Sequence, residues 1–197
     1  MEMKLYDTWI LNDMEINLCA RILGYADWYQ IEIEDNGESI EAAMLEGFIR
    51  LVEMGLLHGN SDYFQPTVQM CTYILPVIAP DHIIRVSYDG GNDVYFQKEG
   101  KILVKMEQLQ TERRSFRLLF ISEEDITEFL EIPEKTHYSE MVILVLDGEQ
   151  NQQKAFRIFE SDGCIWLSEE GEEQKELYSE ETFLNRLFSL EEKDDID

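Results

Sequence analysis

Apolar residues recur at three- to four-residue spacing in the first 80 residues, a pattern typical of amphipathic helices. In one stretch, over 12–23, Asn12 and Glu15 have the spacing of a capping box, and Gly24 is suited to close the helix in a left-handed conformation. A second stretch begins after Ser39 and ends at Gly55. Its apolar positions are Ile40, Ala43, Met44, Gly47, Phe48, Leu51 and Met54. The pattern therefore predicts two helices, of which the second is the clearer.

A third helix is expected to begin around Pro66 and Thr67, because proline is tolerated in a first helical turn. It should end near Leu75, since Pro76 disfavours simple continuation of the helix. Between the first two helices, the segment 25–37 contains a short alternation of apolar and polar residues. That alternation fits either an edge strand or an extended connection, and both alternatives stay open.

From residue 82 onward the pattern changes from helical to extended. Four runs rich in β-branched and aromatic residues are separated by short polar turns, which predicts an antiparallel meander. These runs are 82–88, 94–98, 101–108 and 115–121. Ser122 then has the position of an N-cap for a helix that contains Ile126, Phe129 and Leu130 and ends before Pro133.

The same order of strands, turns and cap recurs further along the chain. The second set of strands is predicted at 141–147, 154–160, 164–168 and 176–178, and is followed by a helix capped at Ser179. Asp89-Gly90 precedes Asp147-Gly148 by 58 positions, and Ser122-Glu123-Glu124 precedes Ser179-Glu180-Glu181 by 57. The nearly constant offset indicates a duplicated unit, although such turns and caps are individually common.

The predicted fold class is α+β, with N-terminal helices followed by an antiparallel sheet built from two pseudo-repeated meander-plus-helix units. The helical region is assigned to 1–80, the two units to 81–134 and 135–190, and an acidic tail to 191–197. We expect these regions to form one compact domain, since 197 residues suffice for a single core. Whether the two units share one continuous sheet is left open.

Charge narrows the range of partners. The chain contains 42 acidic and 16 basic residues, a formal net charge of −26. A field of this sign repels nucleic acids and anionic lipids and favours basic partners. The segment 68–79, which includes most of the third predicted helix, contains no Lys or Arg, and this argues against a helix-turn-helix DNA reader. The first residues do not have the pattern of a secretory signal, and no apolar run is long enough to span a bilayer, so we expect a cytoplasmic protein without membrane insertion.

No pattern of catalytic or metal-ligating residues stands out. His58, His82 and His137 lie in different segments without metal-type spacing, and no phosphate-binding loop or nucleophile motif is present. Cys19, Cys71 and Cys164 each lie in an apolar segment and are expected to be reduced thiols in the core. We therefore expect no catalytic residue, no cofactor and no metal, and a protein that is not an enzyme.

Two segments are candidates for binding a protein partner. The first is the connection between the first two predicted strands, and the second is the last predicted helix. For that helix, packing of its apolar side against the sheet is the alternative. The candidate residues are Tyr88, Asp89, Gly90, Gly91, Asn92, Asp93, Val94, Phe183, Leu184, Leu187 and Phe188. A further candidate docking surface is indicated over 98–117, a segment with six basic and three acidic residues.

The chain also carries a family resemblance. Three segments carry it: Ala42-Ala43-Met44-Leu45 through Leu51-Val52-Glu53-Met54-Gly55-Leu56-Leu57, then Phe64-Gln65-Pro66, and Ile78-Ala79-Pro80. Together they resemble the helix, Gly-Leu turn, second helix and proline-ended entry into the sheet of the type VII secretion chaperones of the EspG-like family. The resemblance implies a cytosolic, nonenzymatic protein that binds the helical tip of a secreted substrate. It assigns no binding residue, and this chain is shorter than typical members.

Two functions follow from these observations. The first is a chaperone or adaptor that covers an aggregation-prone helical surface on a secretion substrate. The alternative is an acidic immunity or inhibitor protein that neutralises a basic nuclease toxin or nucleic-acid enzyme by charge complementarity. Toxin inhibition should weaken steeply with salt, whereas capture of an apolar helix should depend less on salt. The sequence leaves the oligomeric state open.

Overall fold

The computed structural model describes residues 8–25, 40–59, 63–91, 93–109, 114–133, 138–172 and 174–189. Two compact units are present. One contains the described residues up to Pro80 together with Val104–Phe120. The other contains Asp81–Leu103 and the described residues from Ile121 onward.

Up to Pro80, the described residues form three strands and three helices. In chain order they are β1 (Thr8–Asn12), α1 (Asp13–Ile22), α2 (Ile40–Glu53), β2 (Leu57–Gly59), β3 (Phe64–Pro66) and α3 (Val68–Ile78). The predicted capping box is confirmed, because Asn12 Oδ1 accepts from Glu15 N at 2.9 Å while Glu15 Oε2 accepts from Asn12 N at 2.8 Å. Gly24, with φ +84°, follows the helix as predicted.

Three expectations for this region are corrected. The first described element is a strand and not a helix, since β1 precedes α1 and pairs antiparallel with residues 115–119. The third helix starts after Thr67, whose side chain accepts from Met70 N, and Pro66 belongs to β3 instead. That helix also continues through Pro76 to Ile78. Pro76 has no N–H to donate, but its ring is buried with neighbouring apolar side chains, and this burial offsets the lost hydrogen bond.

From residue 81 onward the predicted strands are observed with ends shifted by at most two residues. They are β4 (His82–Tyr88), β5 (Val94–Glu99), β6 (Ile102–Leu109), β7 (Ser115–Ser122), β8 (Glu140–Asp147), β9 (Gln152–Ser161), β10 (Cys164–Glu169) and β11 (Glu176–Leu177). A 3-10 helix spans Glu123–Phe129, and α4 spans Glu180–Phe188. The helix predicted after Ser122 is observed as a 3-10 helix, and the Ser122 hydroxyl donates to Asp125 instead of accepting from a backbone N–H.

Nine strands form one sheet in the order β1-β7-β6-β5-β4-β8-β9-β10-β11. Each pair whose register is described is antiparallel, including β4 with β8, which joins the two predicted meanders edge to edge. Along β8 the buried positions alternate, with Met141, Ile143 and Val145 on one face. Strands β2 and β3 form a separate two-stranded sheet. The α+β class and a large antiparallel sheet are confirmed, whereas the duplication and the boundaries of the predicted regions stay predictions.

Candidate protein-binding surfaces

The connection between β4 and β5 is held by contacts within its own unit. Tyr88 is buried, its hydroxyl accepts a hydrogen bond from Glu131 N at 3.0 Å, and its ring stacks on Tyr138 with centroids 4.9 Å apart. Burial is the main reason why the pKa of Tyr88 is raised above its usual value. The Tyr138 ring also limits the space for a side chain at position 91, because a Cβ added at Gly91 would lie 3.0 Å from the Tyr138 hydroxyl. Tyr88 and Gly91 therefore act as structural residues in a fixed turn.

The rest of this connection is polar and exposed. Asp89 accepts from Ser139 Oγ at 2.9 Å, and Asp93 lies 3.3 Å from Arg85 Nε and accepts from the Tyr95 hydroxyl. Gly90 adopts φ +72°, Val94 is half-buried at the start of β5, and Asn92 lies outside the described residues. The connection presents carboxylates already engaged by neighbouring side chains and little apolar surface.

Helix α4 divides the four apolar residues predicted to bind a partner into two pairs. Phe183 and Leu187 are 0% and 1% exposed. The Phe183 ring packs edge-on against Phe156, with centroids 6.2 Å apart, and lies 6.0 Å from Tyr178. Packing against the sheet, the alternative left open by the sequence, holds for these two residues, and a partner does not reach them in this conformation.

Leu184 and Phe188 are half-buried and line an open groove of about 510 Å³ beside the 3-10 helix. The other lining residues are Glu123, Glu124, Glu181, Asn185 and Ser189. Behind the groove, the buried Lys98 places its Nζ 3.2 Å from Glu123 Oε1 and 5.9 Å from the centroid of the Phe188 ring. The groove thus combines a small apolar wall with an acidic rim, one carboxylate of which is paired within the protein.

The basic segment 98–117 has fewer side chains available to bind an acidic partner than its composition suggests. Lys98 is buried against Glu123, while Lys105 Nζ and Arg117 Nη1 lie 3.0 and 3.3 Å from the two oxygens of Glu107. The Lys105 hydrogen bond is the largest reason why the pKa of Glu107 is lowered. Internal pairing therefore neutralises much of this stretch, and Arg113 lies outside the described residues.

Helix α2 presents an exposed apolar surface, to which sequence reasoning assigned no binding role. Leu45 is 62% exposed, Ile49 52% and Val52 38%. Spacings of four and three residues place these side chains on one face of the helix. Phe48 adjoins them and stacks on Phe64 of β3, with centroids 4.9 Å apart and planes 20° apart. We call Leu45, Phe48, Ile49, Val52 and Phe64 the α2 patch.

The opposite face of α2 explains why the α2 patch points outward. Gly47 and Leu51 are buried, and a Cβ added at Gly47 would lie 2.7 Å from Leu18 Cδ1 of α1. The glycine therefore permits a close approach of the two helices. Arg50 strengthens this contact, since its Nη1 lies 3.0 Å from the buried Glu15 Oε1 and its Nη2 donates to Ile10 O at 3.1 Å. With this face used by the core, the α2 patch has no such cover from the described residues.

The β2–β3 hairpin extends the α2 patch. Phe64 lies over Gly59, where an added Cβ would come within 2.7 Å of the Phe64 ring and 3.5 Å of Val52 Cγ2. A side chain added at Gly59 would therefore require the Phe64 ring to move from its present position. The hairpin thus holds an exposed aromatic ring beside the apolar stripe of the helix.

Reactive chemistry is sparse in the part of the chain that the structure describes. No group of three or more His, Cys, Asp or Glu side chains is placed to hold a metal ion there. All three cysteines are free, but only Cys19 is buried, whereas Cys71 is half-buried and Cys164 exposed, which corrects the expectation of three core thiols. Burial, together with the nearby Glu15, raises the pKa of Cys19 to about 12. No helix among the described residues is both long and apolar enough to cross a bilayer.

The sequence matches no protein-family model, and no curated protein is detectably similar. The surfaces described above are therefore the basis on which a function is argued.

Proposed function

We propose that the protein is a nonenzymatic cytoplasmic adaptor or chaperone that holds an apolar α-helix of a protein partner on the α2 patch. The observation that carries the proposal is the exposure of Leu45 and Ile49, large apolar side chains one helical turn apart, beside the exposed Phe64 ring. Contiguous exposed apolar surface of this kind is typical of binding sites. A helix fits it because side chains at three- and four-residue spacing form a matching stripe.

The resemblance to type VII secretion chaperones supports the same kind of partner. Under this proposal the partner is a helical secretion substrate, and the net charge of −26 keeps the complex dispersed. The two predicted meanders would then be a duplicated scaffold. The pairing of β4 with β8, the first strands of the two meanders, supports that duplication.

Paired affinity captures from the native cytoplasm test the proposal. The baits are the full-length protein, its Leu45→Ser/Ile49→Ser variant, and a matched Tyr95→Ser/Leu177→Ser variant that removes exposed apolar side chains elsewhere. We expect one stoichiometric partner with the first and third baits and none with the second. The partner should protect the amides of α2 from hydrogen exchange, and its contacting segment should be helical.

Two results would overturn this proposal. Equal capture by all three baits would place the binding surface away from the α2 patch. A partner whose contacting segment is not helical would remove the claim about helix recognition. All three baits should show the same far-ultraviolet circular dichroism, because the substituted side chains are exposed and contribute little to the core.

The alternative function, inhibition of a basic toxin, is favoured by the formal charge of −26. It predicts a nuclease-like partner whose association rate falls steeply with ionic strength. In that case the Leu45→Ser/Ile49→Ser variant should still inhibit, because the attraction would come from carboxylates.

A further inference from the structure

An acidic edge runs along the α2 patch. Glu46 lies three residues before Ile49 and Glu53 four residues after it, so both carboxylates flank that side chain on one edge of the helix. Glu41 adds a further carboxylate in the first turn. All three glutamates are exposed. The apolar stripe is thus bordered by negative charge along two turns of the helix.

The acidic edge argues against a second copy of this chain as the occupant. In a two-fold dimer through α2, the same surface on each copy contacts its own equivalent. When the two copies of α2 run antiparallel, such pairing would bring Glu46 and Glu53 near the same residues of the other copy, and each copy already carries a charge of −26. Like charges juxtaposed at an interface are unfavourable. A partner of opposite charge removes this repulsion.

We infer that the helix bound by the α2 patch is a basic amphipathic helix, with an apolar stripe bordered by Lys or Arg. This inference rests on the proposed function and specifies its partner. The apolar stripe of the partner covers Leu45, Ile49 and Val52, while its cationic border lies along Glu46 and Glu53. The apolar contact supplies most of the affinity, and the charges select the partner and its orientation.

Three synthetic peptides of about 18 residues, or five helical turns, test the inference. They share one leucine stripe at three- and four-residue spacing and carry Lys, Gln or Glu at the bordering positions. Binding to the full-length protein is measured by calorimetry at about 50 and about 500 mM salt. We expect the Lys peptide to bind about tenfold more tightly than the Gln peptide at low salt, with most of that advantage lost at high salt.

A charge-matched pair of variants separates recognition at the acidic edge from general attraction to an acidic protein. Glu46→Gln/Glu53→Gln should weaken binding of the Lys peptide about fivefold and leave the Gln peptide unaffected. Glu149→Gln/Glu160→Gln changes the net charge equally at exposed positions in the other unit and should alter binding by less than about twofold. Equal weakening by the two variants would overturn the inference.

The outcomes also distinguish failure of the inference from failure of the proposed function. If the Gln peptide binds as tightly as the Lys peptide, and both lose binding with Leu45→Ser/Ile49→Ser, the helix site stands and its cationic partner does not. If that variant binds the peptides unchanged, the proposed function itself fails at this surface. Sedimentation that shows a dimer abolished by the same variant would identify a second copy as the occupant and overturn the inference.

Discussion

Helices α2 and α4 look alike as sequence patterns, yet the protein uses them in different ways. Each has apolar residues at three- and four-residue spacing and a nearby residue suited to cap it. In α4 the residues that the spacing selects, Phe183 and Leu187, are buried. In α2 the buried residues are Gly47 and Leu51, while Leu45 and Ile49 are exposed. The same periodicity therefore produced a covered stripe in one helix and an uncovered one in the other.

The difference lies in how much of each helix is apolar. Beyond its apolar positions, α4 carries polar residues such as Glu181, Asn185 and Arg186. Helix α4 therefore has a single apolar side, and its buried residues lie on that side. Helix α2 has more apolar residues than its contact with α1 uses. Gly47 lets α1 approach closely, so a narrow strip of α2 is enough for that contact. An apolar arc wider than one neighbour covers is the sign of a second contact surface.

The largest effect that separates the two helices is expected from loss of a core side chain. Phe183→Ala should lower the free energy of unfolding by about 3–5 kcal/mol, since it leaves a cavity beside Phe156. Leu45→Ala should change it by less than about 0.5 kcal/mol because that side chain is exposed. Urea unfolding followed by circular dichroism measures both. If Phe183→Ala does not fold, Phe183→Leu gives a smaller loss of the same sign, and equal effects at the two positions would refute the difference.

The inward face of α2 should be the next most sensitive. Gly47→Val should destabilise the protein by about 1–3 kcal/mol, because the added side chain overlaps Leu18 of α1. Ala42→Val, on the exposed side of the same helix, should cost only a few tenths of a kcal/mol through helix propensity. Thermal melts of the two variants make the comparison. A similar loss in both would show that the close approach to α1 does not limit position 47.

The arginines of α2 and α4 should contribute differently to the free energy of unfolding, because their ion-pair partners differ in burial. Arg50 pairs with Glu15, which is buried, whereas Arg186 pairs with Glu169, Glu172 and Glu176 nearer the surface. Arg50→Gln should therefore cost about 1–3 kcal/mol and Arg186→Gln about 0.5–1 kcal/mol. Unfolding in low and high salt checks this, with the Arg186 contribution being the more strongly screened. A larger loss at Arg186 would contradict the proposed importance of burial.

The smallest effect is kinetic and reports on α1, against which α2 packs. The pKa of Cys19 is raised from 9.0 to about 12, so its thiolate is about a thousandfold scarcer near pH 8 than in the unfolded chain. Iodoacetamide should modify the exposed Cys164 rapidly and Cys19 only on unfolding, as followed by peptide mass spectrometry. The raised pKa of Cys19 also makes the free energy of unfolding depend on pH. Because the pKa is higher in the folded state, the contribution of the protonated Cys19 thiol to stability is complete below pH 9 and declines as the pH rises towards 12. Rapid native modification of Cys19 would contradict the packing described for α1.

Strand positions were the most predictable part of the fold. For β4, the predicted and observed bounds coincide, because alternating apolar residues and flanking turns are local signals. Strand β1 was missed because it pairs with β7, more than 100 residues away, and a short strand carries little signal of its own. Pro76 was read as a helix end, since local propensity does not register the burial that keeps α3 intact.

The candidate site was predicted less well than the fold. The segment 88–94 was correctly placed between two strands, but its Tyr88 ring and carboxylates are engaged internally. The α2 patch was not predicted, although the sequence contains a signal for it. Leu45, Ile49 and Val52 lie on the side of the helix away from Leu51, so the apolar residues of α2 exceed a single stripe.

The sequence by itself determined the α+β class, most strand positions, the capping box at Asn12 and the strongly negative charge, because each depends on neighbouring residues or on composition. Only the tertiary structure decided which side of each helix meets the core. That choice depends on how closely a distant segment approaches, as Leu18 does at Gly47. Periodicity shows that a helix has an apolar face, and the packing of the neighbouring elements settles whether that face is covered.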